Sequence, residues 1–176
     1  SVKKDEGRYI LALNDYDSFE SIGGGATRTR GLYEVVSEWS PVVFLSFSGD
    51  ETILARKQSD NITVITVPKT DDHIVDLAYT NSQFYISAND ILASRHCTRN
   101  AWLMRIYGAL RKSARCIIVE HCYLAPLPLA FNDRFVYSSQ NNETELKRQL
   151  LEWHPLKADL TCEVEHIERL AVECAA

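Results

Sequence analysis

The sequence lacks several things that would have narrowed its class. It has no apolar run near the roughly 20 residues a membrane-spanning helix needs, and its first residues, Ser1-Val-Lys-Lys-Asp-Glu-Gly7, do not read as a signal peptide. It has no excess of positive charge: 19 Lys and Arg stand against 24 Asp and Glu, a net charge of −5. A nucleic-acid partner is therefore not expected, because phosphate contacts need a basic face. Its five cysteines, Cys97, Cys116, Cys122, Cys162 and Cys174, are odd in number and show no paired metal spacing. Free thiols in a reducing cytoplasm are the expectation, with no metal and no cofactor.

Glycine is also scarce, yet three of the seven glycines stand in succession at 23–25. The stretch Ser21-Ile-Gly-Gly-Gly-Ala-Thr-Arg-Thr-Arg30 follows the first apolar run, Tyr9-Ile-Leu-Ala-Leu13, and precedes a helical pattern over Leu32 to Trp39. Strand, glycine loop, helix is a layout in which bare backbone can approach an anion at a helix N-terminus. An ordinary tight turn between strand and helix fits the same residues.

The chain's 176 residues suit a single domain, 1–176. Arg8 to Leu13 reads as a buried strand. In the helix that follows, Leu32, Val35, Val36 and Trp39 share one face, and Pro41 ends it. Val42 to Phe47 is a second buried strand, Thr52 to Gln58 suits one or two helical turns, and Asn61 to Val67 is a third strand closed by Pro68. Asp71 or Asp72 can cap a helix through Leu77, and Gln83 to Ser87 fits helix or strand. A basic helix begins at Thr98 or Arg99 with Trp102, Leu103, Ile106 and Leu110 on one face. Cys116 to Val119 is a fourth strand, the prolines at 126 and 128 make a loop, and Arg134 to Tyr137 is a fifth strand. Asn141 or Asn142 caps a helix running to Trp153, and a last helix spans Lys157 to Cys174.

Strands alternating with helices imply an α/β fold with an open, mostly parallel sheet and helices on both faces. Ligands of such sheets bind beyond the C-terminal strand ends. Four polar stretches fall at such ends: the glycine loop, Ser46 to Asp50, Glu120 to Tyr123, and Ser138 to Glu143.

Four motifs in this order carry a family resemblance: Gly23-Gly-Gly-Ala-Thr-Arg28 with Gly31-Leu32; Val43-Phe-Leu-Ser-Phe47; Val119-Glu-His-Cys-Tyr-Leu-Ala-Pro-Leu127; and Val136-Tyr-Ser-Ser-Gln-Asn-Asn-Glu143 with Leu146-Lys-Arg-Gln-Leu150. The chain resembles the N-terminal domain of a GT-B glycosyltransferase of the retaining group called family 4, whose "EHPYL" and "VYxSHNVE" segments the last two are similar to. Gln140 stands where that family often has histidine, and Cys122 where proline is common.

The resemblance implies a Rossmann-like three-layer α/β/α domain, one half of a two-domain enzyme. On that resemblance the nucleotide-sugar-binding C-terminal half is expected to be absent from residues 1–176, the sequence stopping at Ala176 within the helix that would run on towards it. It implies transfer of a sugar from a nucleotide-sugar donor to an acceptor hydroxyl, with this half inactive alone. Gly23, Gly24, Gly25 and Arg28 would meet the donor diphosphate, where preorganised dipoles and cations stabilise the leaving charge. Arg28 also fits a solvated first-turn residue. His121, directly after a strand, would orient the transferred sugar or the acceptor as the catalytic residue. Glu120, Gln140, Asn141 and Glu143 would shape the acceptor pocket, although an Asn-Asn-Glu run is also ordinary helix-capping chemistry. Localisation would be cytoplasmic, and the basic helix permits peripheral contact with the inner face of the membrane.

Two other classes fit less well. A dinucleotide-binding oxidoreductase would carry G-x-G-x-x-G and an acid at the end of the second strand, whereas Ser46-Phe-Ser48 stands there. A partner-binding module of the response-regulator type would need a phosphorylatable aspartate at a strand end, for which Asp15 is a rough fit and the glycine loop has no purpose.

Overall fold

The computed structural model describes residues 8–176, so the Ser1–Gly7 stretch read above lies outside the described residues. Six strands, β1 (Tyr9–Asn14), β2 (Val42–Ser48), β3 (Leu54–Lys57), β4 (Ile62–Pro68), β5 (Ala114–Glu120) and β6 (Val136–Ser138), form one sheet in the order β3-β4-β2-β1-β5-β6. Every pairing is parallel except that of β3 with β4. The helices are α1 (Gly24–Ser37), α2 (Asp71–Ser82), α3 (Asn89–Cys97), α4 (Ala101–Leu110), α5 (Pro126–Leu129), α6 (Glu143–Leu150) and α7 (Lys157–Cys174). They flank a mostly parallel sheet in a three-layer α/β/α domain, as the alternation of strand and helix implied.

The two faces of the sheet bury two clusters. Leu11, Leu13, Leu45, Phe47 and Val119 pack on one side with residues of α3, α4 and α7. Ala12, Phe44, Val64 and Tyr33 of α1 pack on the other. Alternate residues of one strand therefore feed opposite layers, which is why β1 and β2 read as continuous apolar runs.

Several local expectations give way to tertiary effects. Helix α1 begins at Gly24, so two of the three glycines are helical rather than loop residues. Its inward face is Ala26, Thr29 and Tyr33, while Leu32, Val35 and Trp39 are exposed. Tyr33 wins the core position because its ring packs edge-on against Phe44 and its hydroxyl reaches Glu120. The 52–58 segment forms strand β3 in place of helical turns: an antiparallel hairpin completes the outer hydrogen-bonding edge of β4. Thr70, rather than Asp71 or Asp72, caps α2, accepting from the His73 amide. The 83–87 segment is neither helix nor strand. Asn100 caps α4, and Trp102 of its expected inward face lies half in solvent. The prolines at 126 and 128 sit in the short α5, where the first turn needs no amide donor. The 134–137 strand is shifted to Val136–Ser138, and α6, capped by Asn142, stops at Leu150 before Trp153. The last helix spans Lys157–Cys174 as read from its apolar repeat. All five cysteines are free. No helix among the described residues is long and apolar enough to cross a membrane.

Candidate functional site at the strand ends

Beyond β1 the chain turns sharply on Asn14, whose buried amide donates to the Tyr16 carbonyl and to Ser18 Oγ. Asp17 accepts from the Phe19 amide, and Arg30 of α1 reaches back to the carbonyls of Ser18 and Ser21 at 3.0 and 2.8 Å. The 15–22 segment is thus stapled to the helix it feeds. At its end Gly23 has φ 141°, a backbone favouring glycine, and a Cβ on Gly23 or Gly24 would meet nothing within 4 Å. Both are exposed, so the N-terminus of α1 offers open backbone. Gly25 is different: a Cβ there would come 3.0 Å from Gln140 Oε1 and 3.1 Å from the Tyr16 hydroxyl. Arg28 is exposed on the second turn.

Beyond β5, His121 takes φ 61°, an uncommon left-handed conformation for a residue with a side chain. Such strain persists where surrounding structure holds it, and it clusters at functional sites. Its Nδ1 lies 3.3 Å from Asp15 Oδ1. Burial opposes charge on His121, but the Asp15 hydrogen bond and charge, with help from Glu143 and Gln140, raise its pKa. Burial likewise lifts Asp15 above the usual carboxylate range, although His121 pulls it back. The result is a carboxylate–imidazole pair at the meeting of β1 and β5.

This pair borders a cleft of about 520 Å³ enclosed by the 15–21 segment, the end of β2 and Asn89–Asp90 of α3. Arg56 of β3 lines it, paired with Asp17 at 2.7 Å and with Glu20 at 3.4 Å. Lys69 lines it also, and burial lowers its pKa while Asp15 opposes the shift.

Of the residues singled out from the sequence, His121 lies in this cleft. Glu120 faces α1 instead, fully buried, accepting from the Tyr33 hydroxyl at 2.8 Å and from Gln140 Nε2 at 3.4 Å. Gln140 Nε2 also donates to Thr29 Oγ1 at 2.9 Å, so Glu120, Gln140 and Gly25 form one connected cluster under the start of α1. Glu143 is buried, accepting from the Tyr123 hydroxyl at 2.9 Å and from Asn141 Nδ2 at 3.2 Å. Asn141 opens onto a separate groove with Tyr137, Ser139 and Glu168. Glu168 of α7 accepts from the Glu143 and Thr144 amides and so holds the N-terminus of α6. Sequence reasoning did not find Asp15 as the partner of His121, nor Arg56, Lys69 and Thr66 in the cleft. The position of Asp15 directly after a strand was the one available signal. No group of three or more metal-ligating side chains converges among the described residues.

No family profile and no curated relative matches the sequence. Solved structures do. A trehalose-phosphate synthase (UDP-forming) from Burkholderia xenovorans, in complex with glucose-6-phosphate, matches 90% of this chain at 17% identity with a TM-score of 0.50. A trehalose-6-phosphate synthase, OtsA, matches 88% at 15% identity with a TM-score of 0.51. The chain spans 39% of the length of each. The three-layer fold is therefore similar to that of these synthases, and the narrower family 4 resemblance rests on the motifs alone.

Proposed function

We propose that the chain is the acceptor-side domain of a retaining glycosyltransferase, of the family 4-like group, which moves a sugar from a nucleotide-sugar donor to an acceptor hydroxyl. One observation carries this reading. The open N-terminus of α1 and the strained His121 stand on the same strand-end edge, bridged by Tyr16, whose hydroxyl nears Gly25 and whose ring centroid lies 6.1 Å from that of His121. Backbone amides at Gly23 to Gly25, with Arg28, would stabilise charge gathering on the leaving diphosphate. His121, held by Asp15, would orient the acceptor or the transferred sugar as it takes or shares a proton. Glu120 and Gln140 would act from below by fixing the start of α1, and Glu143 with Asn141 by fixing the neighbouring loop.

In this reading a second domain binds most of the nucleotide sugar, and closure of the two halves completes the site. Fold similarity to a UDP-forming synthase is in keeping with this class of reaction. The test is calorimetry with UDP-glucose and other nucleotide sugars on the chain alone, beside an assay for sugar transfer. The expected result is no transfer and only weak binding. Micromolar affinity would place a complete donor site in this chain and overturn the proposal.

A further inference from the structure

Five carboxylates line the cleft beside His121, from Asp15, Asp17, Glu20, Asp50 and Asp90, against the two cations Arg56 and Lys69. Asp15 is paired with His121 and Asp90 with Lys147, while Glu20 and Asp50 stand exposed at the mouth. Phosphate esters are held by a free arginine fork or by several converging cations. Here Arg56 is ion-paired with Asp17 and Glu20, although its Nη2 and Asp17 Oδ2 complete no hydrogen bond among the described residues. Lys69 Nζ lies 3.5 Å from the Ser48 carbonyl.

A second observation comes from the cleft wall. Asn14, Ser46 and Thr66 are in register across β1, β2 and β4. Thr66 lines the cleft at 3% exposure, and its hydroxyl finds no hydrogen-bond partner among the described residues. The Ser46 hydroxyl and Asn14 Oδ1 behind it are likewise unpartnered among the described residues. A buried polar atom left unsatisfied is costly, and of these three residues Thr66 is the one a ligand in the cleft can reach.

We infer that the cleft takes a neutral, polyhydroxylated acceptor and discriminates against a phosphorylated one. The inference rests on the acceptor-side reading above and narrows its substrate class. Carboxylates accept from sugar hydroxyls, and the Thr66 hydroxyl both donates and accepts. A phosphate dianion in the same place would face Glu20 and Asp50, and the Arg56 guanidinium would have to turn from its ion pairs with Asp17 and Glu20 to meet it. This separates the chain from the Burkholderia xenovorans enzyme, whose structure holds glucose-6-phosphate.

The test is an NMR titration of the isotopically labelled chain with glucose and myo-inositol, each beside its monophosphate. The neutral compounds are expected to shift the amide signals of Gly49, Asp50 and Thr66 saturably, and the phosphate esters to bind about tenfold or more weakly. Glu20→Gln, which releases Arg56 from one exposed carboxylate, narrows that gap, and an unchanged gap overturns the electrostatic basis of the selection. Equal or tighter binding of a phosphate ester overturns the inference and leaves the acceptor-side reading intact. Cleft signals unmoved by all four compounds overturn both.

Discussion

His121 Nδ1 and Asp15 Oδ1, 3.3 Å apart, tie together the ends of β5 and β1, which are neighbours in the middle of the sheet. The two residues are 106 positions apart in sequence, and the contact exists only because the parallel crossover brings both strand ends to one edge. The carboxylate raises the pKa of the imidazole against the cost of burial. Asp15→Asn is therefore expected to lower it, as followed by NMR titration of the ring. The raised pKa also contributes stability, present below the unfolded histidine value near 6.5 and lost as pH rises through the folded value. Asp15→Asn should remove that contribution. An imidazole titrating at the same pH in both proteins would show that the pair is not coupled.

The three glycines should answer differently to alanine. Gly24 is helical with open space at its Cβ, so Gly24→Ala gains up to about 1 kcal/mol from helix propensity. Gly23→Ala forces φ 141° on a residue with a side chain and costs roughly 1–3 kcal/mol. At Gly25 a methyl group presses on Gln140 and Tyr16, and Gly25→Ala costs roughly 1 kcal/mol or more. Urea unfolding of the three variants gives the ranking. A stabilised Gly25→Ala would show that these neighbours yield freely.

How much of this was legible in the sequence depended on whether the signal was local. The buried strands β1, β2 and β4 and the long helix α7 announce themselves by apolar runs and by Leu160, Val164, Ile167 and Ala171. Strand β3 did not, because Leu54 to Lys57 is almost wholly exposed and is a strand only through its pairing with β4. Of the stripe of Leu32, Val35, Val36 and Trp39 only Val36 packs partly against the core, because α1 turns inward the neighbouring face that carries Tyr33, a polar-tipped ring whose partner Glu120 lies 87 residues away. For the same reason His121 was visible by its place after a strand, while Asp15, Arg56 and Thr66 became site residues only once the loop from 15 to 22 folded over the sheet edge.

The Tyr33–Glu120 bond is buried between α1 and β5 at 2.8 Å. Tyr33→Phe removes a donor from a fully buried carboxylate and should cost about 1–3 kcal/mol. Adding Glu120→Gln to that background replaces the stranded carboxylate with a neutral amide and should recover part of the loss, a coupling that a double-mutant cycle in urea measures. Simple additivity of the two changes would mean that the bond contributes little to holding α1 on the sheet.

His73 gives the chain an acid sensitivity of its own. Fully buried in α2, it stacks on His96 with ring centroids 4.6 Å apart, and neither of its ring nitrogens has a hydrogen-bond partner among the described residues. Burial, His96 and Lys69 lower its pKa to about 4, against the opposing charge of Asp76. A folded pKa below the unfolded value near 6.5 means that the unfolded chain takes up the proton first. Stability from the neutral ring is complete above about pH 6.5 and is lost as pH falls towards 4, on the order of 3 kcal/mol over that window. His73→Phe, which keeps the ring and its edge-on contact with Phe47, should flatten this part of the stability profile. Urea midpoints for both proteins at several pH values between 7 and 4 provide the comparison. Parallel profiles would locate the acid sensitivity in other groups.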